Sequence, residues 1–253
     1  MPIITTDKTM RPRDARDFYP TPVGLIRAAM DRIYTNICQD QSDASVIQEI
    51  LDPGAGLGVW GYGARERFPN ARVSGVEYYF KERPSFYTGE WFVGDYTKNI
   101  LPHGVYDLVI GNPPYKYAEQ FVRQAMQHSK RYVVYLLRLG FLESQSRMDG
   151  LWKEMPTRQI FVLGKRPSFT GDGKTDATAY AIYFWDKVNP TRYPHEWLHW
   201  DYDKGIDHWG SQVEYDSIQT NPGVVPGKEK YASVANLDSL RRFVWGSVDE
   251  RLR

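Results

Sequence analysis

The sequence predicts an α/β fold with an open, mostly parallel sheet, a late antiparallel strand pair and helices on both faces. Two observations carry this. Short apolar runs recur along the chain, and each stops abruptly at a glycine, a proline or an acid. The early runs are also separated by stretches of helical length, and strand, helix, strand is the rhythm of a parallel sheet. The 253 residues, 42% hydrophobic and 25% charged, suffice for one large core with a modest appendage.

The elements follow in order. Residues 46–51, Val-Ile-Gln-Glu-Ile-Leu, read as a buried strand that ends at Asp52-Pro53-Gly54-Ala55-Gly56-Leu57-Gly58. A helix is expected from about Val59 to Phe68, a second strand over Arg72–Val76 ending on Glu77, and a third over Trp91–Val93 ending near Asp95. The fourth strand, Tyr106–Ile110, stops at Gly111-Asn112-Pro113-Pro114-Tyr115, because consecutive prolines cannot donate to a sheet ladder. A helix near Ala118–His128 and a fifth strand over Arg131–Leu137 follow. Gln159–Leu163 and Thr178–Trp185 form the late pair, with Phe169-Thr170-Gly171-Asp172-Gly173-Lys174 in their connection.

The two ends differ from this body. Residues 1–16 form a basic arm carrying Lys8, Arg11, Arg13 and Arg16, either solvated or in contact with phosphate. The main domain spans 17–186. Residues 187–253 form a small aromatic-rich extension without a sustained period, apart from a helix expected near Leu237–Val244. Its Trp197, Trp200, Tyr202, Trp209 and Tyr215 suit either a hydrophobic cap or stacking on bases.

Composition excludes several classes. The single cysteine, Cys38, permits no internal disulfide, and no cysteine-histidine spacing suggests zinc. No apolar run has the length of a signal peptide or a bilayer span. A cytoplasmic protein without a structural metal and without a membrane partner is expected. The formal net charge of +1 leaves a nucleic-acid partner open, because binding depends on local basic surface.

Two strand ends carry chemistry. The glycine turn lets backbone pass close to a ligand and leaves helix N–H groups pointing at it. Gly56-Leu57-Gly58-Val59-Trp60-Gly61 even fits the spacing of dinucleotide enzymes, with Glu77 about where their ribose-binding acid lies. Asp52 separates the readings: a carboxylate there repels a pyrophosphate but suits the amino group of a methionine moiety. It favours S-adenosylmethionine. Gly54, Ala55 and Gly56 would then line the cofactor, Glu77 would accept from its ribose hydroxyls, and Asp95 would take its adenine amino group unless it only caps a turn.

The second strand end, Asn112-Pro113-Pro114-Tyr115, lies on the same carboxyl edge, where ligands bind in open α/β sheets. An exocyclic amino group or an amide nitrogen has a delocalised lone pair and is a poor nucleophile. The Asn112 side-chain oxygen and the Pro113 carbonyl can each accept one of its N–H bonds, drawing it toward a tetrahedral geometry. Pro114 fixes the backbone, and Tyr115 can stack on a planar target.

Asp-Pro-Gly-Ala-Gly-Leu-Gly followed by Asn-Pro-Pro-Tyr resembles the class I Rossmann-like methyltransferases, and within them the DNA adenine-N6 methyltransferases of phage type. Asp-Phe-Tyr-Pro-Thr-Pro at 17–22 resembles the segment those enzymes place before the cofactor motif. The resemblance implies a Rossmann-like sheet, S-adenosylmethionine as cofactor and DNA as partner, with Tyr19, Thr21 and Pro22 at the methionine end. It further implies Phe169 as an aromatic opposite Tyr115, the two clamping a flipped base. The catalytic turn would serve equally on an RNA base or a protein glutamine amide, and a fold retained only for binding nucleic acid is a further alternative. These DNA enzymes usually carry a sizeable target-recognition domain, for which only the extension is available here.

Overall fold

Eight strands share one sheet in the computed structural model, which describes residues 21–41, 44–79, 81–98, 101–169, 175–190 and, as backbone, 196–198. The strands are β1 (Glu49–Pro53), β2 (Arg72–Glu77), β3 (Trp91–Val93), β4 (Tyr106–Gly111), β5 (Ser129–Arg138), β6 (Gln159–Leu163), β7 (Tyr180–Asp186) and β8 (Glu196–Leu198). They lie in the order β3-β2-β1-β4-β5-β7-β6-β8. β7 is antiparallel to both of its neighbours, β5 and β6, while β8 joins β6 in parallel. The late antiparallel pair is thus β6 with β7, and β7 is inserted between β5 and β6.

Helices cover both faces. On one, α1 (Val23–Gln41) packs on α2 (Val59–Arg67), and both cover the core residues Ile50, Val73, Leu108, Ile110, Val134 and Phe184. On the other, α3 (Ala118–His128) sets Phe121, Val122 and Ala125 over Leu51, Val109, Val133 and Tyr135. Adjacent residues of each strand serve opposite faces, and the central strands therefore read as continuous apolar runs.

Most boundaries agree with the sequence pattern. The first strand begins later than expected, at Glu49, because Ala44–Val46 forms a single 3-10 turn. The fifth begins at Ser129, directly after α3. Three helices are additional: α1, and the short α4 (Gln145–Asp149) and α5 (Leu151–Glu154) that follow β5.

α1 has a clear physical basis. Ile26, Ala29, Met30, Ile33 and Ile37 repeat at helical spacing on one face and are all buried. Its closeness to α2 depends on Gly63, where a Cβ would stand 2.2 Å from Ile26 Cγ2. Arg27 and Glu66 pair at 3.1 Å across the same contact.

At the opposite end of the sheet from its ligand edge, the buried Asp186 carboxylate ties three segments together. It accepts from Arg131 at 2.9 Å, from Arg158 at 3.0 Å and from the N–H groups of Val188 and Asn189. Burial pushes its carboxyl up, but these donors outweigh burial and hold it below the ordinary value. Among the described residues, no helix is long and apolar enough to cross a membrane, and no group of three or more His, Cys, Asp or Glu side chains could hold a metal. The basic arm, Gly171–Lys174 and the expected helix near Leu237–Val244 lie outside the described residues.

Candidate active site

Register brings the two chemical turns side by side. β1 pairs with β4 through Leu51 and Val109, so the chain leaving Asp52 and the chain leaving Gly111 emerge together. Gly54, Gly56 and Gly58 have φ of 70°, 55° and 83°, left-handed values that a side chain would strain. A Cβ on Gly54 would also lie 3.6 Å from Pro114 Cδ. The glycine turn and the Asn-Pro-Pro-Tyr turn are therefore in near contact.

The glycine turn is stapled by its own neighbours. Gly54 and Ala55 donate to the Val76 carbonyl at 2.8 and 3.0 Å, Gly56 donates to Glu77 Oε2 at 2.8 Å, and Gly61 donates to Asp52 Oδ2 at 2.9 Å. Of these, Gly61 is in the helix whose N–H groups the sequence expects to point at a ligand. The four donors face inward because two carboxylates and a strand carbonyl satisfy them first, leaving them unavailable to a phosphate.

Asp52 is 1% exposed. Its Oδ2 also accepts from the Tyr87 hydroxyl at 2.7 Å, while its Oδ1 is buried with no hydrogen-bond partner. Burial pushes its carboxyl up to about 7, against the Tyr87 and Gly61 donors. A buried acceptor with one unused oxygen fits the ammonium of a methionine moiety, which would supply the missing donor. Tyr87 was not anticipated: it stands in a loop without periodicity, between Gly61 and Trp91, whose ring centroid lies 5.0 Å away.

The other cofactor candidates divide by position. Glu77 is buried, with Oε1 accepting from the Tyr79 N–H at 2.8 Å in addition to its bond from Gly56. It fixes the turn as well as standing where a ribose is expected. Asp95 caps the turn at Tyr96–Lys98, its Oδ1 accepting from the Thr97 N–H at 3.0 Å and the Thr97 hydroxyl at 2.7 Å. Pro22 is buried and starts α1, its carbonyl accepting from the Ile26 N–H. Tyr19 lies outside the described residues.

Thr21 does more than line a pocket. Its buried hydroxyl accepts from Trp60 Nε1 at 3.1 Å and from Asn112 Nδ2 at 3.2 Å. One atom thus links the segment before α1, the helix after the glycine turn and Asn112.

Tyr115 is half-buried at the end of the Asn-Pro-Pro-Tyr turn, tilted against Tyr180 at 5.5 Å, with the Arg138 guanidinium 4.8 Å from its ring centroid. Phe169, expected opposite Tyr115 as a clamp, is only 5% exposed and meets Tyr180 edge-on at 5.1 Å. Tyr180 thus touches both rings, Tyr115 and Phe169.

No protein-family model matches the chain, and no curated protein sequence does. Solved structures do. A predicted O-methyltransferase of Agrobacterium tumefaciens is 17% identical over 79% of this chain and 96% of its own, with a TM-score of 0.50. A candidate class I S-adenosylmethionine-dependent methyltransferase of Listeria monocytogenes is 12% identical over 86% of this chain and 80% of its own, also with a TM-score of 0.50. The fold is that of the class I methyltransferases. In this chain the class I methyltransferase sheet carries both turns on one edge, and at such low identities the likeness speaks for the fold alone.

Proposed function

We propose that the chain transfers a methyl group from S-adenosylmethionine to the exocyclic N6 of adenine in DNA. The observation that carries this reading is the joining of the two turns, through the approach of Gly54 to Pro114 and the bond from Asn112 to Thr21. S-adenosylmethionine, when bound, supplies an electrophilic methyl group on a sulfonium. The unused Oδ1 of Asp52 and the left-handed glycines are the residues that would hold it, with Glu77 at the ribose.

The chain's own contribution is positioning and dipoles. The Asn112 side-chain oxygen and the Pro113 carbonyl accept the two N–H bonds of the target amine, which localises its lone pair. With the cofactor held there, its methyl group would pass to this nitrogen, which would give up one proton to solvent. A covalent enzyme intermediate is not needed. Tyr115 offers a face to the planar target, and a duplex target must have its base turned out of the stack to reach it.

Incubation of the purified chain with methyl-labelled cofactor and with DNA, RNA or protein, followed by mass spectrometry, tests the reading. Label in N6-methyladenine of DNA is expected. Label confined to an RNA base or a glutamine amide would keep the reaction and replace the substrate; absence of cofactor binding would overturn both.

A further inference from the structure

A cavity of about 400 Å³ opens beside the Asn-Pro-Pro-Tyr turn and shares only Tyr115 with the chemistry above. It is lined by Tyr115, Lys116 and Tyr117, by the N-terminal part of α3, and by Phe141 and Arg147 from the segment after β5. Its size falls in the ~300–1,000 Å³ range of small-ligand sites.

The walls alternate rings with cations. The Lys116 ammonium stands over Tyr117 at 5.5 Å and the Arg147 guanidinium over Phe141 at 5.0 Å, and beyond the lining the Arg138 guanidinium stands over Tyr115 at 4.8 Å. Tyr117 is 43% exposed although aromatic, and Lys116 is exposed. The lining holds one carboxylate, Glu119, against Lys116, Arg147 and Arg123, the last of which also binds Glu154 at 2.8 Å outside the lining. The Glu119 carboxylate is bound by Arg123 at 3.0 Å, so it presents little uncompensated negative charge to the cavity.

Rings interleaved with cations suit a ligand with planar bases on an anionic backbone. We infer that this cavity seats the nucleotide adjoining the target in an unstacked nucleic-acid strand, with Tyr117 stacking on its base and Lys116 contacting its phosphate. The inference rests on the nucleic-acid reading of the active site. It places the neighbour beyond Tyr115, one step along the strand from the base held by Asn112. It also gives the chain a handhold on substrate within the methyltransferase sheet itself.

The test uses the full chain and a fluorescent single-stranded adenine-containing oligonucleotide, titrated at several salt concentrations. Lys116→Gln should reduce the slope of log affinity against log salt by about 0.7, the value for one lost phosphate contact on a single strand. Tyr117→Ala should weaken binding roughly tenfold while leaving that slope unchanged, as loss of a stacking platform does. Both side chains are exposed, and an unchanged affinity for S-adenosylmethionine checks that each variant is folded. Wild-type oligonucleotide affinity and salt slope in both folded variants would overturn the subsite while leaving the proposed reaction standing. If the unaltered chain bound no oligonucleotide, the subsite and the nucleic-acid reading would fall together.

Discussion

The tips of β1 and β2 and the tips of β4 and β5 share one edge but spend their polar groups differently. At the first pair, Asp52 and Glu77 are buried and bonded to the backbone of the turn they border. At the second, Tyr115, Lys116, Tyr117 and Arg138 sit half-buried or exposed and pair ring with cation, the first three lining a cavity. The first is a socket whose shape is settled before any ligand arrives, as suits an invariant small molecule. The second is a surface with latitude, as suits a polymer.

If this contrast is sound, damage on the catalytic side should leave the socket intact. Asn112→Ala is expected to lower methyl transfer by at least about a hundredfold, while calorimetry finds cofactor binding within a few-fold of the unaltered chain. Comparable losses of both would mean that the two halves are not separable.

The socket should instead respond to pH. With its carboxyl near 7, Asp52 is largely protonated at lower pH and cannot attract an ammonium. Cofactor affinity should therefore rise as pH increases through about 7, by up to tenfold per unit on the acid side. Asp52→Asn should remove that dependence. The same raised value means that Asp52 contributes stability below its unfolded-state value of 3.8, and that this contribution is lost as pH climbs through about 7. Calorimetric titrations at several pH values would read the affinity, and thermal melts the stability.

Thr21 joins the halves, so Thr21→Val should touch both. Two donors, Trp60 Nε1 and Asn112 Nδ2, would lose their acceptor, for about 1–3 kcal/mol of stability. Misplacement of Asn112 should lower kcat roughly tenfold with little change in KM. A wild-type kcat would show that Asn112 is held by other means. The scaffold affects stability alone: Gly63→Ala should cost about 1–3 kcal/mol by overpacking against Ile26, lowering the melting temperature, and the same substitution should cost less in an Ile26→Ala background.

The strand ends were legible because they are punctuated. Asp52, Glu77 and Asn112 each stop an apolar run with a residue that cannot belong to its interior, and the structure brings Asp52 and Asn112 to adjoining strand ends. Tyr87 had no such mark: its bond to Asp52 joins residues 35 apart, and nothing local in its loop signals it. Thr21 was noticed as a neighbour of the cofactor, but its bond to Asn112, 91 residues away, exists only once α1 is packed. α1 itself has a plain helical period, buried at Ile26, Ala29, Met30, Ile33 and Ile37, beside the stronger signal of the first strand. Phe169 stands in a connection between strands, where sequence cannot distinguish a ring turned to a ligand from one turned to the core.

The reversed strand has a consequence for synthesis of the chain. Because β7 lies between β5 and β6, β6 emerges from the ribosome before the strand that attaches it to the sheet. Until residues 180–186 follow, β5 presents an unpaired edge running from Tyr132 to Arg138, apolar along most of its length and open to pairing with another chain. Closing that edge also delivers Asp186 to Arg131 and Arg158, so arrival of a single segment ends the exposure and fastens the seam.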